Sequence, residues 1–346
     1  MKNLRYLLGI LICFAVVHTQ AQEEEDNSLK ISGSVDTYFK YDFNDQDGDG
    51  GIASNGTSFA DQHNSVSLGM VNLILEKTFG KATFVGDVSV GPRSSASIGK
   101  EVGIQNLYIS YAFTDDLTFS MGYMGTFVGY EVISPTANFN YTTSYLFTNG
   151  PFQNAGLKLE YAISDKVGVM VGLFNRWNAF DADDFGLSDF GAQLSVSPVE
   201  GWDAYLNFIT GPGETEVDLT TTFQASDDFL IGLNAAIFTA DDNNLPVYGA
   251  VPDFAGVALY LNYSVSDAAA LGLRYEYFST QENEITEPFT EYNVNAVTFS
   301  ANLGAGPLTF IPEIRLDSAS EDIFSDGDGD ATGSTFQALL AAVFAF

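Results

Sequence analysis

The sequence predicts an all-β chain, a transmembrane antiparallel β-barrel of about 16 strands with short turns at one end and long loops at the other. Three observations predict it: long stretches in which apolar and polar residues alternate, connections that alternate short and long, and aromatic residues gathered at strand ends. Composition sets the frame. Of 346 residues, 46% are hydrophobic and 14% aromatic, yet the formal charge is -32. A soluble or disordered chain of that acidity would be poor in aromatics, so the charge must be segregated from the apolar surface. The same charge argues against nucleic acid as a partner, because phosphates would repel it.

Residues 1–21 read as a signal peptide. Lys2 and Arg5 precede an apolar run from Leu7 to Val17, and Thr19 and Ala21 supply small residues for cleavage before Gln22. The run is about ten residues, half of what a spanning helix needs. Cys13 is the only cysteine, and Ile12 before it is too large for a lipoprotein signal. The mature chain is then free of cysteine, which excludes disulfides and thiol chemistry. Residues 22–28 form a short periplasmic lead and 29–346 the barrel, a single domain.

The first strand sets the pattern. Ile31, Gly33, Val35, Thr37, Phe39, Tyr41 and Phe43 fall on one face, with Ser32, Ser34, Asp36, Tyr38, Lys40 and Asp42 on the other. This run is longer than an ordinary strand of about five or six residues, but it suits a tilted membrane crossing of about ten. The unit recurs from Ala82 to Val90 and through later runs such as Phe229 to Ile237 and Leu308 to Leu316. Residues 65–76 and 294–303 fit less cleanly and are expected to hold bulges.

The connections sort by parity. Short turns fall at 77–80, 114–117, 163–166, 198–201, 225–228, 264–269 and 304–307. Longer loops fall between them at 44–64, 91–103, 129–154, 175–189, 211–216, 239–253, 279–293 and 318–334. That is the outer-membrane rule of tight periplasmic turns and long outer loops. On the inferred outward face, Tyr111, Phe113, Phe119, Tyr161, Trp202, Phe223, Phe229, Tyr263 and Phe310 lie beside the short turns. Phe39, Tyr41, Phe43, Phe127, Tyr275 and Tyr277 lie near the loops. Two aromatic belts are what two membrane interfaces require. Ala338, Leu340, Ala342, Phe344 and Phe346 alternate to the end of the chain, and Phe344 and Phe346 resemble the signal read by outer-membrane assembly machinery.

Several stretches resemble the OmpL-like β-barrel porin family of Bacteroidota outer membranes. They are Ile31 to Tyr38, Asp61 to Ser65, Gly129 to Val132, Asn138 to Tyr141, Tyr145 to Phe147 and Phe190 to Leu194. Together they cover about the first two thirds of the chain. The resemblance implies an outer-membrane barrel with porin activity and supplies no catalytic residues.

The inward face offers Asp36, Lys40, Asp42, Asp87, Lys158, Glu160, Arg274, Glu276, Glu313 and Arg315 as pore-lining residues. At about 16 strands a barrel is wide enough for a water-filled channel, and rings of charge set selectivity there. The same side chains could instead pair internally and fill the barrel. Loop 129–154 carries Phe139, Tyr141, Tyr145, Leu146 and Phe147, too apolar to stand in water, so it is expected to fold inward as a constriction or else to pack on a neighbouring subunit.

Two outer loops carry alternate carboxylates, Asp45/Asp47/Asp49 and Asp326/Asp328/Asp330. They resemble the start of a calcium loop, but Gly56 and Gln337 stand where its bidentate glutamate belongs. A weak shared Ca²⁺ or Mg²⁺ site bridging to lipopolysaccharide is one reading and a solvated acidic rim the other; no other cofactor is expected. Asp181, Asp183, Asp184, Asp241, Asp242, Glu282, Glu284 and Glu287 extend the negative mouth, a field that concentrates cations.

His63 and Ser65 could share a strand face in the manner of an outer-membrane lipase, whose chemistry needs nucleophile and base within reach. The expected function is a passive diffusion porin for small hydrophilic solutes with weak cation preference, and not an enzyme. The alternative is a non-conducting surface or adhesion barrel plugged by loop 129–154. The lipid bilayer, lipopolysaccharide and the assembly machinery are the expected partners, with a homotrimer as analogy allows.

Overall fold

Hydrocarbon offers no water to satisfy backbone N–H and C=O groups, so strands can cross it only if every edge is paired. In the computed structural model, which describes residues 28–44, 51–52, 55–99, 102–180, 186–241 and 251–346, this is achieved by closure. Sixteen antiparallel strands form one closed barrel. They are β1 (Lys30–Asp42), β2 (Ser65–Phe79), β3 (Ala82–Val90), β4 (Val102–Ala112), β5 (Leu117–Gly125), β6 (Gln153–Ser164), β7 (Val167–Asn175) and β8 (Leu187–Val199). The second half comprises β9 (Trp202–Gly211), β10 (Glu214–Ser226), β11 (Phe229–Ala240), β12 (Asp253–Ser266), β13 (Ala269–Gln281), β14 (Asn293–Ala305), β15 (Leu308–Ala319) and β16 (Ser334–Ala345). Among the described residues the only helices are α1 (Pro92–Ile98) and α2 (Tyr145–Asn149), neither long enough to cross a membrane.

Each strand pairs with its neighbour in sequence, and β1 closes on β16 from Ser34↔Ala345 to Asp42↔Gln337. Phe346 extends this seam, exchanging both backbone hydrogen bonds with Gly33 at 3.1 Å. The period-two pattern decides which side chains meet lipid. Val66, Leu68, Leu107, Ile109, Ile237 and Leu340 point out and are exposed. Tyr111, Phe113, Tyr161, Trp202, Tyr263 and Phe310 point out beside the short turns, and Phe39, Phe43, Tyr275 and Tyr277 beside the loops.

One local expectation holds and three change. Residues 65–76 do contain a bulge: Val35 opposes Val71 but Thr37 opposes Leu68, so Gly69 and Met70 share the place across from Asp36. Residues 294–303 keep their register with both neighbours, and the ladder to β15 is interrupted only near Pro312, which has no N–H to donate. The expected loop at 211–216 is a two-residue link between β9 and β10, because Gly211 and Glu214 still pair. Phe127 does not join the outer belt; past the end of β5 the chain turns inward, and its ring packs on Phe174 at 5.7 Å inside the lumen.

Candidate functional site

The residues between β5 and β6 do not stay above the barrel. They run into the lumen, and Tyr141 to Phe147 are all buried there. Apolar packing provides part of the reason. Tyr130 stacks on Tyr260 at 4.2 Å, Tyr145 on Phe278 at 5.6 Å, and Phe147 meets Phe152 at 5.0 Å and Phe59 at 6.0 Å. Phe139 lies over Gly272, where a Cβ would come within 2.2 Å of its ring, so this wall position must lack a side chain.

The rest of the reason is a set of charged side chains on the wall that bind the loop's main chain. Glu276 on β13 accepts the N–H groups of Tyr145 (2.9 Å) and Leu146 (2.8 Å). Glu313 on β15 accepts those of Tyr141 (2.9 Å) and Thr142 (3.2 Å), together with the Thr142 hydroxyl. Arg274 donates to the loop's Glu131 (2.5 Å) and to the Thr142 carbonyl (2.7 Å), and Arg315 to the Thr143 carbonyl (2.7 Å). Asp36 on β1 accepts the Tyr141 hydroxyl at 2.5 Å, and Asp317 the Tyr145 hydroxyl at 2.9 Å. Both hydroxyls are protonated at neutral pH and serve here as donors. Much of this loop's polar backbone outside the short helix α2 is thus satisfied by the barrel wall, as burial demands.

Of the ten inward charges expected to line a pore, Asp36, Lys40, Asp42, Arg274, Glu276, Glu313 and Arg315 are all buried rather than facing open water. Lys40 donates to the Ala60 carbonyl (2.8 Å) of a second inward segment, 55–63, and Asp42 accepts from Thr335 (2.9 Å) and Gln337 (3.1 Å). Asp87 accepts from Asn72 and Asn106. Only the Lys158–Glu160 pair, 2.8 Å apart, keeps water contact, with side-chain exposures of 22% and 20%. It sits on β6 toward the short-turn end, where Tyr108, Ser110, Thr118, Gln193, Ser195 and Tyr205 are also half-exposed. Among the described residues the lumen is therefore polar and water-accessible on that side and occupied by inward segments toward the loop end.

The sequence reading did not single out Glu131, Arg93, Asp317, Arg176, Asp189, Glu214, Glu216 or Asp218 as functional. Arg93, from α1, stacks over Phe59 and Tyr141 at 4.7 and 4.8 Å, and Arg176 pairs with Glu214 at 3.3 Å. The alternation of Glu214, Glu216 and Asp218 along β10 was a readable signal that all three point inward.

The acidic rim is exposed: Asp241, Glu282, Glu284, Glu287, Asp326, Asp328 and Asp330 all meet solvent. The two loops expected to be neighbours do touch, through the Gly327 N–H on the Asn44 carbonyl at 2.7 Å. Asp326 caps its own turn, accepting from the Asp328 and Asp330 N–H groups at 3.1 and 2.9 Å. Asp45, Asp47, Asp49, Asp181, Asp183, Asp184 and Asp242 lie outside the described residues, as do residues 1–27. Among the described residues no three His, Cys, Asp or Glu side chains converge on a metal position. His63 is fully buried, and its Nδ1 accepts the Asp42 N–H at 2.8 Å, while the Ser65 hydroxyl bonds to Ser67 at 2.7 Å. That nitrogen has no lone pair left to act as a base on Ser65.

Residues 28–346 match the family described as "Putative beta-barrel porin-2, OmpL-like". The chain belongs to that family. This porin-family barrel is an outer-membrane protein, and its fold is shared with solved outer-membrane proteins. OmpTdeltaL8, a loop-deletion mutant of an outer membrane protein of Vibrio cholerae, is 14% identical with a TM-score of 0.61 over 92% of this chain and 99% of its own. The outer membrane channel DcaP of Acinetobacter baumannii is 14% identical, with a TM-score of 0.62 over 92% and 97%. The anion-selective porin of Comamonas acidovorans is 12% identical, with a TM-score of 0.61 over 92% and 99%. No curated protein matches the chain. At these identities the likeness is one of fold.

Proposed function

We propose that this barrel is a narrow passive porin for small hydrophilic solutes, with weak preference for cations and no enzymatic activity. The observation that carries the proposal is the division of the lumen: a polar, water-accessible wall around Lys158 and Glu160 leads up to an inward loop that restricts the passage. The rim supports the cation preference. Every charged residue exposed on the described outer loops is acidic, and Arg93 and Arg176, the basic residues there, are buried. Such a mouth raises the local cation concentration. The anion-selective neighbour shares the architecture and not this charge pattern's consequence, since selectivity resides in the side chains.

We read residues 1–21 as an export signal, Phe344 and Phe346 as the assembly signal, and the lipopolysaccharide leaflet as the surroundings of the acidic rim. A homotrimer is part of the same proposal, with the trimer form of Vibrio cholerae OmpT as a structural neighbour. The density of wall-to-loop bonds favours one second reading, a barrel closed by its loop that does not conduct. Liposome swelling with sugars of graded size, and reversal potential under a salt gradient, test the proposal. It expects entry of the smallest sugars and a cation-selective potential; no swelling with any sugar would leave the closed barrel.

A further inference from the structure

Each inward carboxylate that faces the loop is met by donors, with one exception. Glu276 and Glu313 each receive two loop N–H groups, and Glu131 receives the Ser144 N–H at 2.7 Å as well as Arg274. Asp218 receives the Gly129 N–H at 3.1 Å and the side-chain amides of Asn207 (2.7 Å) and Asn234. Glu216, two residues along the same face of β10, is only 3% exposed, and its Oε2 has no hydrogen-bond partner.

The reason is local. The Glu216 carboxylate lies against Gly150, 3.7 Å from where a Cβ would stand. The N–H of Gly150 is spent on the Leu146 carbonyl at 3.0 Å, and Pro151 has none. Val128, Leu146, Phe147 and Ala236 complete an apolar wall on that side. Between this wall and the carboxylates of Glu216 and Asp218 lies a cavity of about 10 Å³, closed in by Gly129, Gly150 and Asn234. That is about the room of one water-sized sphere. A carboxylate buried without a partner is too costly to persist, so it must be neutralised. Arg176, just past the end of β7, already pairs with Glu214 on the same strand as Glu216.

We propose that this cavity is a binding site for a single monovalent cation of sodium size, held by Glu216 and Asp218. Two carboxylates make too small an oxygen set for calcium, which takes six to eight ligands. The cation closes the one gap in the seating of the loop, so the loop's hold on the wall depends on it. This holds whether or not the lumen conducts.

The test uses the whole folded barrel in detergent, with NaCl as the probe and choline chloride at matched ionic strength as the reference. Expected are a saturable broadening of the ²³Na resonance and a rise in the thermal midpoint with Na⁺, both lost in Glu216→Gln. Ala236→Val, which fills the cavity and leaves both carboxylates in place, should abolish the same two responses and serves if the glutamine variant fails to fold. Wild-type protein with no saturable broadening and no Na⁺-dependent midpoint would assign the neutralisation to a buried proton and overturn the proposal. Responses that persist undiminished in both variants would place the sodium elsewhere and overturn it too.

Discussion

Arg274 and Glu131 are 143 residues apart in the chain, and the guanidinium of the first sits 2.5 Å from the carboxylate of the second, both buried in the lumen. One belongs to the wall and the other to the loop. The same guanidinium reaches the carbonyls of Thr142 and Thr143 at 2.7 and 3.3 Å. The barrel's ladder does not depend on this pair, but the loop's position does.

Arg274→Met should therefore loosen the loop and spare the barrel. Removing one partner of a buried ion pair typically costs about 3–5 kcal/mol, because the other charge is left uncompensated. The expected outcome is a larger and noisier single-channel conductance with unchanged β-sheet circular dichroism. Wild-type conductance in a folded variant would show that the pair does not hold the loop.

Gly272→Val tests the packing half of the same contact. The added side chain collides with Phe139 at the wall, and overpacking of this kind costs about 1–3 kcal/mol. Phe139 should be expelled, and limited proteolysis should cut the 129–154 segment faster than in wild type.

At the rim, Asp326→Asn, Asp328→Asn and Asp330→Asn together remove three exposed charges. The reversal potential under a gradient of dilute potassium chloride should fall toward zero. Near 1 M salt, where the screening length is about 3 Å, the variant and wild type should converge. A selectivity unchanged at low salt would place its origin below the mouth.

Gly33→Ala addresses the seam. A Cβ there would lie 2.3 Å from the Asn72 carbonyl oxygen and 3.0 Å from the Phe346 ring. The backbone oxygen cannot retreat without breaking the β1–β2 ladder. The variant should accumulate less folded barrel in the outer membrane and lose its resistance to unfolding in warm detergent, as read by gel mobility.

The barrel was legible in the sequence because alternation reports directly on which side of a wall a residue faces. The runs from Ile31 to Phe43 and from Leu308 to Leu316 needed nothing else. Alternation cannot report what the inner side faces. Lys40 and Lys158 carry the same signal, yet one is buried against the Ala60 carbonyl and the other keeps water contact. The difference is made by inward segments that meet the wall in large part through their main chain, and main-chain groups leave no mark in a sequence. Phe127 was misplaced for a related reason, since its parity was counted past the point where β5 ends at Gly125. Glu131 lay in a recognised stretch, but its partner Arg274 is too distant in the chain to be paired by inspection.

The charged side chains that bind the loop's main chain lie largely downstream of it. Glu276, Arg274, Glu313 and Arg315 come from β13 and β15, and Asp218 from β10. A polypeptide threaded from its N-terminus delivers Phe139, Tyr141 and Tyr145 long before those strands arrive. Until then the segment has only its upstream contacts, Asp36, Phe59 and Arg93, to settle against. The loop's full set of wall contacts therefore exists only once the later strands are in place.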